Sequence, residues 1–261
     1  MARTVRSDNF MSGLTAVWFG QDDNTTWKQH AGSGDSQYPY TTTQTAGGIQ
    51  TGGSINWNGH TVYGFQAVTA PHHGGVCISI TSGAPSASGL ASKGTVVLLI
   101  GNWDTNAVTY VLAQFFGGAV KFKVTSSTTV TFDTLTGVGV TITAPSSGDN
   151  AIFVGVWDDS SAANTKVFYG HAASGAAITV ADTGITGTIQ TNLGGKNLSD
   201  FFDDGGGSAK APANSVGAYF FNNVQLSLAQ AQSIADDPIG TTFTGAVVTG
   251  GGSYSQRRRQ S

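Results

Sequence analysis

The amino-acid sequence predicts an all-β fold: an antiparallel sandwich or barrel with one short C-terminal helix. Three observations carry that prediction. Gly is abundant, 37 of 261 residues, and Thr, Val and Phe are common where Leu, Lys and Arg are sparse. Ten or more short runs of β-branched and aromatic residues are separated by clusters of Gly, Asn, Asp and Ser. Helical spacing occurs once, late in the chain. Many short strands with few long connections bury their apolar faces by packing sheet on sheet.

In chain order, residues 14–19 form the first apolar strand pattern. Residues 20–59 are polar and turn-rich, too long for a bare loop in a compact domain, and read as an embellished region with a strand around 48–57. Strands follow at 61–67 and 76–81, then a Ser/Ala/Gly loop at 83–94. Residues 95–101 are continuously apolar, as in a central strand, and 108–116 follow. Val120, Phe122 and Val124 alternate with Lys121 and Lys123, which sends the lysines to the solvent face. Alternation continues through Val130 and Phe132, then Val138, Val140 and Ile142.

The run Ile152–Trp157, the polar break Asp158–Ser161 and the run Lys166–Gly170 form the central hairpin. Strands are expected at 177–181, 184–190 and 216–224, with a Gly- and Asp-rich loop at 193–208. Ser227 and Gln230 have capping-box spacing, and Leu228, Ala231, Ile234 and Ala235 make the apolar stripe of a helix that stops at Asp237-Pro238. No internal repeat is visible. The expected organisation is a basic arm over residues 1–9, one sandwich over 10–245, and a Gly-rich basic tail over 246–261.

Charge is scarce and unevenly placed. Charged residues make up 10% of the chain, well below the quarter usual in soluble domains. Every acidic residue is Asp; there is no Glu. All five Arg lie near the ends, at Arg3, Arg6, Arg257, Arg258 and Arg259, and residues 8–254 carry 7 Lys against 15 Asp. An acidic body thus sits between basic ends. The single cysteine, Cys77, excludes an intramolecular disulfide. The sequence opens without an apolar signal core and holds no run long enough to span a membrane, so synthesis in the cytosol is the expectation.

Three blocks carry a family resemblance. IFVGVWDDSSAANTKVFYG resembles the strand, Asp turn and strand of laminin-G-like jelly rolls; Leu193-Gly194-Gly195 resembles their return strand; VGAYFFNNVQLSLAQAQSIADDP resembles their closing strand and helix. The resemblance covers about residues 95–240. It implies the concanavalin A-type sandwich, and it implies sugar binding or adhesion, with catalysis in some branches and calcium near the loops. Proteins of this type occur in tailed-phage virions, which implies a virion location and virion partners.

The residues limit the chemistry. Sandwich glycosidases flank the scissile bond with two Glu, and none exists here. The pairs Asp158-Asp159 and Asp203-Asp204 are sequence neighbours, so on a strand they point to opposite faces. A lyase that neutralises a uronate needs Arg, and none lies between residues 7 and 256. His30, His60, His72, His73 and His171 fall in turn-like segments and read as surface or hydrogen-bonded residues. Loop carboxylates Asp158, Asp159, Asp200, Asp203 and Asp204 suit calcium, but turns favour Asp for structural reasons and are the preferred reading.

Trp27, Tyr38, Tyr40, Trp57 and Trp103 lie in polar surroundings and are the candidates for stacking on sugars, whereas Trp18 and Trp157 end apolar runs and read as core. Arg3, Arg6 and Arg257–Arg259 are candidates for tethering to acidic surfaces of partner proteins; nucleic acid would be repelled by the acidic body. Exposed sheet edges favour a homo-oligomer. These readings converge on a non-enzymatic virion structural or decoration protein with lectin-like glycan binding. The alternatives are a free carbohydrate-binding module and, third, a polysaccharide-active enzyme.

Overall fold

The computed structural model describes residues 4–20, 27–31, 34–35, 40–44, 49–67, 76–80, 91–103, 110–115, 120–134, 137–158, 165–184, 200–201 and 215–244. In order these form β1 (Thr4–Val5), a 3-10 turn (Phe10–Gly13), β2 (Ala16–Gly20), β3 (Trp27–Ala31), β4 (Gly34–Asp35), β5 (Tyr40–Gln44), β6 (Ile49–Trp57), β7 (His60–Ala67), β8 (Val76–Ile80) and β9 (Lys93–Ile100). They continue as β10 (Tyr110–Phe115), β11 (Val120–Ser126), β12 (Thr129–Thr134), β13 (Gly137–Thr143), β14 (Asp149–Asp158), β15 (Lys166–Ala173), β16 (Ala181–Asp182), β17 (Asp200–Phe201), β18 (Ser215–Asn222), α1 (Leu228–Asp236), α2 (Pro238–Thr242) and β19 (Phe243–Thr244).

The fold is an all-β antiparallel sandwich with a short C-terminal helix, as the sequence predicts. Its main sheet runs in the order β16-β15-β14-β9-β18-β2-β3-β4, with the β6–β7 hairpin attached at Ser215↔Phe65. β14 and β9 form its centre because both are continuously apolar: all ten positions of β14 and Gly94–Ile100 of β9 are buried. A strand covered on both faces does not alternate. On one face, Val97, Leu99, Ile152, Val154, Val156 and Phe221 pack with Ile55, Trp57 and Val62 of the hairpin and Ala231, Ile234 and Ala235 of α1.

On the other face lies the four-stranded meander β10-β11-β12-β13. Its alternation is as expected: Val120, Phe122 and Val124 are buried while Lys121 and Lys123 are half-buried. Phe122 meets Phe153 of β14 at 5.5 Å between ring centroids and Phe132 at 5.0 Å. The sheets pack tightly at Gly155, where a Cβ would lie 2.5 Å from the Phe132 ring and 3.3 Å from Val96. Gly155→Ala is therefore expected to cost about 1–3 kcal/mol through overpacking, read as a lowered thermal midpoint.

The capping box is present. Ser227 Oγ accepts from the Gln230 N–H at 3.3 Å, and Gln230 Oε1 accepts from the Ser227 N–H at 2.8 Å. α1 ends at Asp236, and Pro238, which cannot continue it, opens α2 with Asp237 as its cap. Two expectations are corrected. Residues 177–180 are not a strand, because the Gln232 amide takes their backbone groups: Nε2 donates to Ile178 O and Oε1 accepts from Val180 N, both at 2.8 Å.

Residues 4–9 are not a free arm. β1 pairs with β19, Thr4 opposite Thr244, and Val5 is buried. Arg6 pairs with Asp8 at 2.5 Å and donates to Gly240 O at 3.3 Å. That pairing holds the Asp8 carboxyl below the usual carboxylate range.

Candidate functional site

Among the described residues, two of the candidate sugar-stacking side chains, Trp57 and Trp103, offer no platform. Trp57 is fully buried and donates from Nε1 to Ala235 O at 2.7 Å. Trp103 is 2% exposed and packs on Phe153 at 5.9 Å. Both are core residues with no face free for a sugar, because partners distant in sequence cover them. Trp27 lies on β3 and Tyr40 on β5, but their side chains, and Tyr38 altogether, are outside the described residues.

Of the candidate calcium ligands, Asp158 is buried at the end of β14 opposite Lys93, and its N–H donates to Thr165 Oγ1 at 3.2 Å. It therefore closes the hairpin. Asp200 pairs through its backbone with Ser79 of β8. Asp159, Asp203 and Asp204 are outside the described residues, among which no three His, Cys or acidic side chains are grouped to hold a metal. Of the candidate tethers, Arg6 is paired as above, and Arg3, Arg257, Arg258 and Arg259 are outside the described residues. His72 and His73 are outside them too.

What the structure does bring together is Asp149, His171 and Tyr169. The β14–β15 register sets Asp149 opposite Ala173, Ala151 opposite His171, and Phe153 opposite Tyr169. Residues two apart share a sheet face, so the carboxylate, the imidazole and the phenol lie on the same side at one end of the hairpin. Asp149 Oδ2 meets His171 Nδ1 at 2.6 Å and also accepts from the Ser146 N–H at 3.2 Å. The preceding turn is held by Gly148 at φ +85°, whose N–H donates to Trp103 O at 2.8 Å, while Trp103 N–H donates to Asp149 O at 2.7 Å. The carboxylate is thus anchored on both its side chain and its backbone.

The Asp149 side chain is 13% exposed and that of His171 36%. Beside a carboxylate, Nδ1 is the donor nitrogen of the ring; among the described residues nothing bonds Nε2. The Tyr169 ring stacks on the imidazole at 5.5 Å and 27° and packs on Phe153 at 5.1 Å. The Tyr169 hydroxyl is buried without a hydrogen-bond partner. Burial first, and then the Asp149 charge, push the phenol above its ordinary pKa. The unit is an oriented acid–base couple: a fixed carboxylate, an imidazole with one nitrogen held and the other outward, and a neutral ring wall.

Tyr169 carries a pH prediction. Its folded pKa is raised, so its contribution to stability is full below the unfolded tyrosine value, about pH 10, and is lost as pH rises towards the folded value. Tyr169→Phe should flatten that alkaline loss of thermal midpoint. At neutral pH it should be neutral or stabilising, by up to about 1 kcal/mol, because it removes an unpaired buried hydroxyl.

No protein-family model and no characterised protein matches the sequence. Solved structures do. An arabinofuranosidase complexed with arabinofuranosyl-α-1,2-xylobiose aligns over 97% of this chain at 12% identity and a TM-score of 0.50. A GH54 α-L-arabinofuranosidase soaked with a cyclic sulfate inhibitor aligns over 97% at 12% identity and a TM-score of 0.50. The chain spans 64% and 65% of those two chains. At this identity the likeness is one of fold. Both neighbours are glycoside-cleaving enzymes by description. The expectation of a non-enzymatic virion structural or decoration protein is corrected accordingly. So is the step from missing Glu to no enzyme: lack of Glu removes a Glu pair, but not an acid–base couple built from Asp149 and His171.

Sequence reading missed this couple. Asp149 is not singled out by the sequence, and His171 reads as one of five scattered histidines. The signal that finds them is register: Gly170 opposite Ile152 places His171 beside Asp149's strand position, but only once the hairpin is aligned residue by residue.

Proposed function

We propose that the protein is carbohydrate-active and transfers protons during cleavage of a glycan at the Asp149–His171 end of the central hairpin. The observation that carries the reading is the 2.6 Å contact of the buried carboxylate with His171 Nδ1, which leaves Nε2 directed away from its holder on a half-exposed ring. His171 Nε2 takes a proton from the attacking water as its oxygen bonds to the anomeric carbon and the glycosidic C–O bond breaks, the departing sugar oxygen taking a proton from solvent. Asp149 is a positioning residue that fixes the tautomer and ring plane. Tyr169 shields one ring face from water.

The sandwich shared with two arabinofuranosidases supports glycan as the substrate class. The test is turnover. Neutral oligosaccharides, beginning with arabinofuranosyl-substituted xylobiose and arabino-oligosaccharides, are incubated with the protein and assayed for new reducing ends. Cleavage of any of them that depends on His171 supports the reading. No cleavage across arabino-, xylo-, gluco- and galacto-oligosaccharides overturns it.

A further inference from the structure

The meander ends in an open strand edge. β13 is registered on β12 with Thr141 opposite Thr131, Ile142 opposite Val130 and Thr143 opposite Thr129. Among the described strands none pairs with its other side. One backbone bond fixes which groups face which way: the Ala144 N–H donates to Thr128 O at 2.9 Å. Hydrogen-bonded and non-bonded pairs alternate along an antiparallel ladder, so Ile142 is the next bonded residue and Thr141 and Thr143 are not bonded to β12. The N–H and C=O of both threonines therefore point away from β12, and among the described residues they meet no partner.

Two features bound this edge. Phe132 lies opposite Val140 and Asp133 opposite Val138, so Gly139 is the extra residue of a bulge. At the other end Ala144 is followed by Pro145, which has no N–H to donate. The window between them, residues 140–144, is centred on Ile142 and holds no charged residue. Thr141 and Thr143 are exposed, while Val140, Ile142 and Ala144 are buried on the core face. An uncharged open edge is what proteins otherwise blunt with charge, proline or a covering segment.

We propose that β13 pairs antiparallel with β13 of a second copy of this chain, about a two-fold axis at Ile142. The symmetry of the window selects a second copy over an unrelated strand. The axis sets Thr141 opposite the partner's Thr143, Thr143 opposite the partner's Thr141, and Ile142 opposite the partner's Ile142. Each outward N–H and C=O of the two threonines then meets its complement, because a hydrogen-bonded pair exchanges both bonds. On the solvent face threonine meets threonine, a favourable cross-strand pair. On the core face the isoleucines meet, and the apolar layer runs from one meander into the next. No like charges oppose each other within the window. A junction of one strand pair is small, so the dimer dissociates on dilution.

Sedimentation equilibrium of the purified chain tests this. The parent protein should pass from monomer to dimer between about 10 µM and about 1 mM, the affinity range of a small transient interface. The double variant Thr141→Lys/Thr143→Lys sets lysine against lysine in both pairs, and Thr141→Asp/Thr143→Asp sets carboxylate against carboxylate. Each should weaken self-association by about tenfold or more. Mixed in equal amounts, the two variants should associate at least as tightly as the parent, since every lysine then faces an aspartate. Both positions are exposed, so the thermal midpoint of each variant in dilute solution should stay near that of the parent.

A parent protein that stays monomeric at about 1 mM overturns the proposal. A dimer of undiminished strength in both double variants overturns it too, because the contact then lies elsewhere. So does a mixture of the two variants that does not associate, because the register about Ile142 requires it to. Single substitutions at Thr143, to Lys in one protein and to Asp in the other with Thr141→Lys as the opposing variant, give the same comparison should a double variant fail to fold: Thr141→Lys mixed with Thr143→Asp should associate more tightly than Thr141→Lys mixed with Thr143→Lys, and equal association overturns the pairing.

Discussion

His171→Ala is expected to reduce glycan cleavage by roughly 100- to 10,000-fold, the range spanned by a positioned general acid or base. The loss should fall on kcat and on kcat/KM alike, because the imidazole is used in the transition state rather than in ground-state binding. Fold is not expected to be the cause. His171 sits at the end of β15, where its ring makes one side-chain hydrogen bond, to Asp149, and one stacking contact, with Tyr169. Asp149→Asn separates the two roles. An amide can offer its N–H to Nδ1 and so favours the opposite tautomer, so kcat should fall with KM near the parent value. A merely structural Asp149–His171 tie would instead lower the thermal midpoint in both variants and leave the rate per folded molecule unchanged. Circular dichroism at the assay temperature distinguishes the two.

The parts of this molecule that were legible in the sequence are those whose cause is local. The continuous run of β14 is buried on both faces, and the alternation of β11 places its lysines outward, as the pattern requires. Ser227 and Gln230 cap α1 because a capping box needs only four consecutive residues. What stayed hidden depends on partners far along the chain. Trp57 lies among Ser, Asn and Gly, which reads as an exposed aromatic, yet its indole reaches Ala235 across 178 positions. Residues 177–180 carry a strand-like pattern, but Gln232 occupies their backbone groups.

The site is hidden for the same reason. Asp149 and His171 are 22 residues apart, and only the register of β14 on β15 makes them neighbours. The Asp pairs that stood out in the sequence stood out because they adjoin in the chain. Adjacency along a strand sends side chains to opposite faces, so it is the wrong distance for shared chemistry.

Trp57→Ala should be the most destabilising single change among these, at about 3–5 kcal/mol. The indole is fully buried at the end of β6, in the cluster that joins the hairpin to α1. Truncation empties that volume and also leaves the Ala235 carbonyl, near the end of α1, without its donor. Trp57→Phe keeps most of the volume and isolates the hydrogen bond, so it should cost about 1–3 kcal/mol. Against a total stability of 5–15 kcal/mol for a typical domain, the Ala variant stands close to unfolding at physiological temperature. Urea unfolding followed by tryptophan fluorescence and by circular dichroism measures both costs.

The damage should also reach the catalytic pole. Asn56, the residue before Trp57, accepts through its carbonyl from Asn150 Nδ2 at 2.8 Å and from Gly175 N–H at 2.9 Å. Those two bonds brace the ends of β14 and β15 that carry Asp149 and His171. Trp57→Phe, which remains folded, should therefore lower kcat several-fold. An unaltered kcat in a measurably destabilised Trp57→Phe protein would mean that the hairpin supports the core alone and that the pole is held entirely by the 146–149 turn.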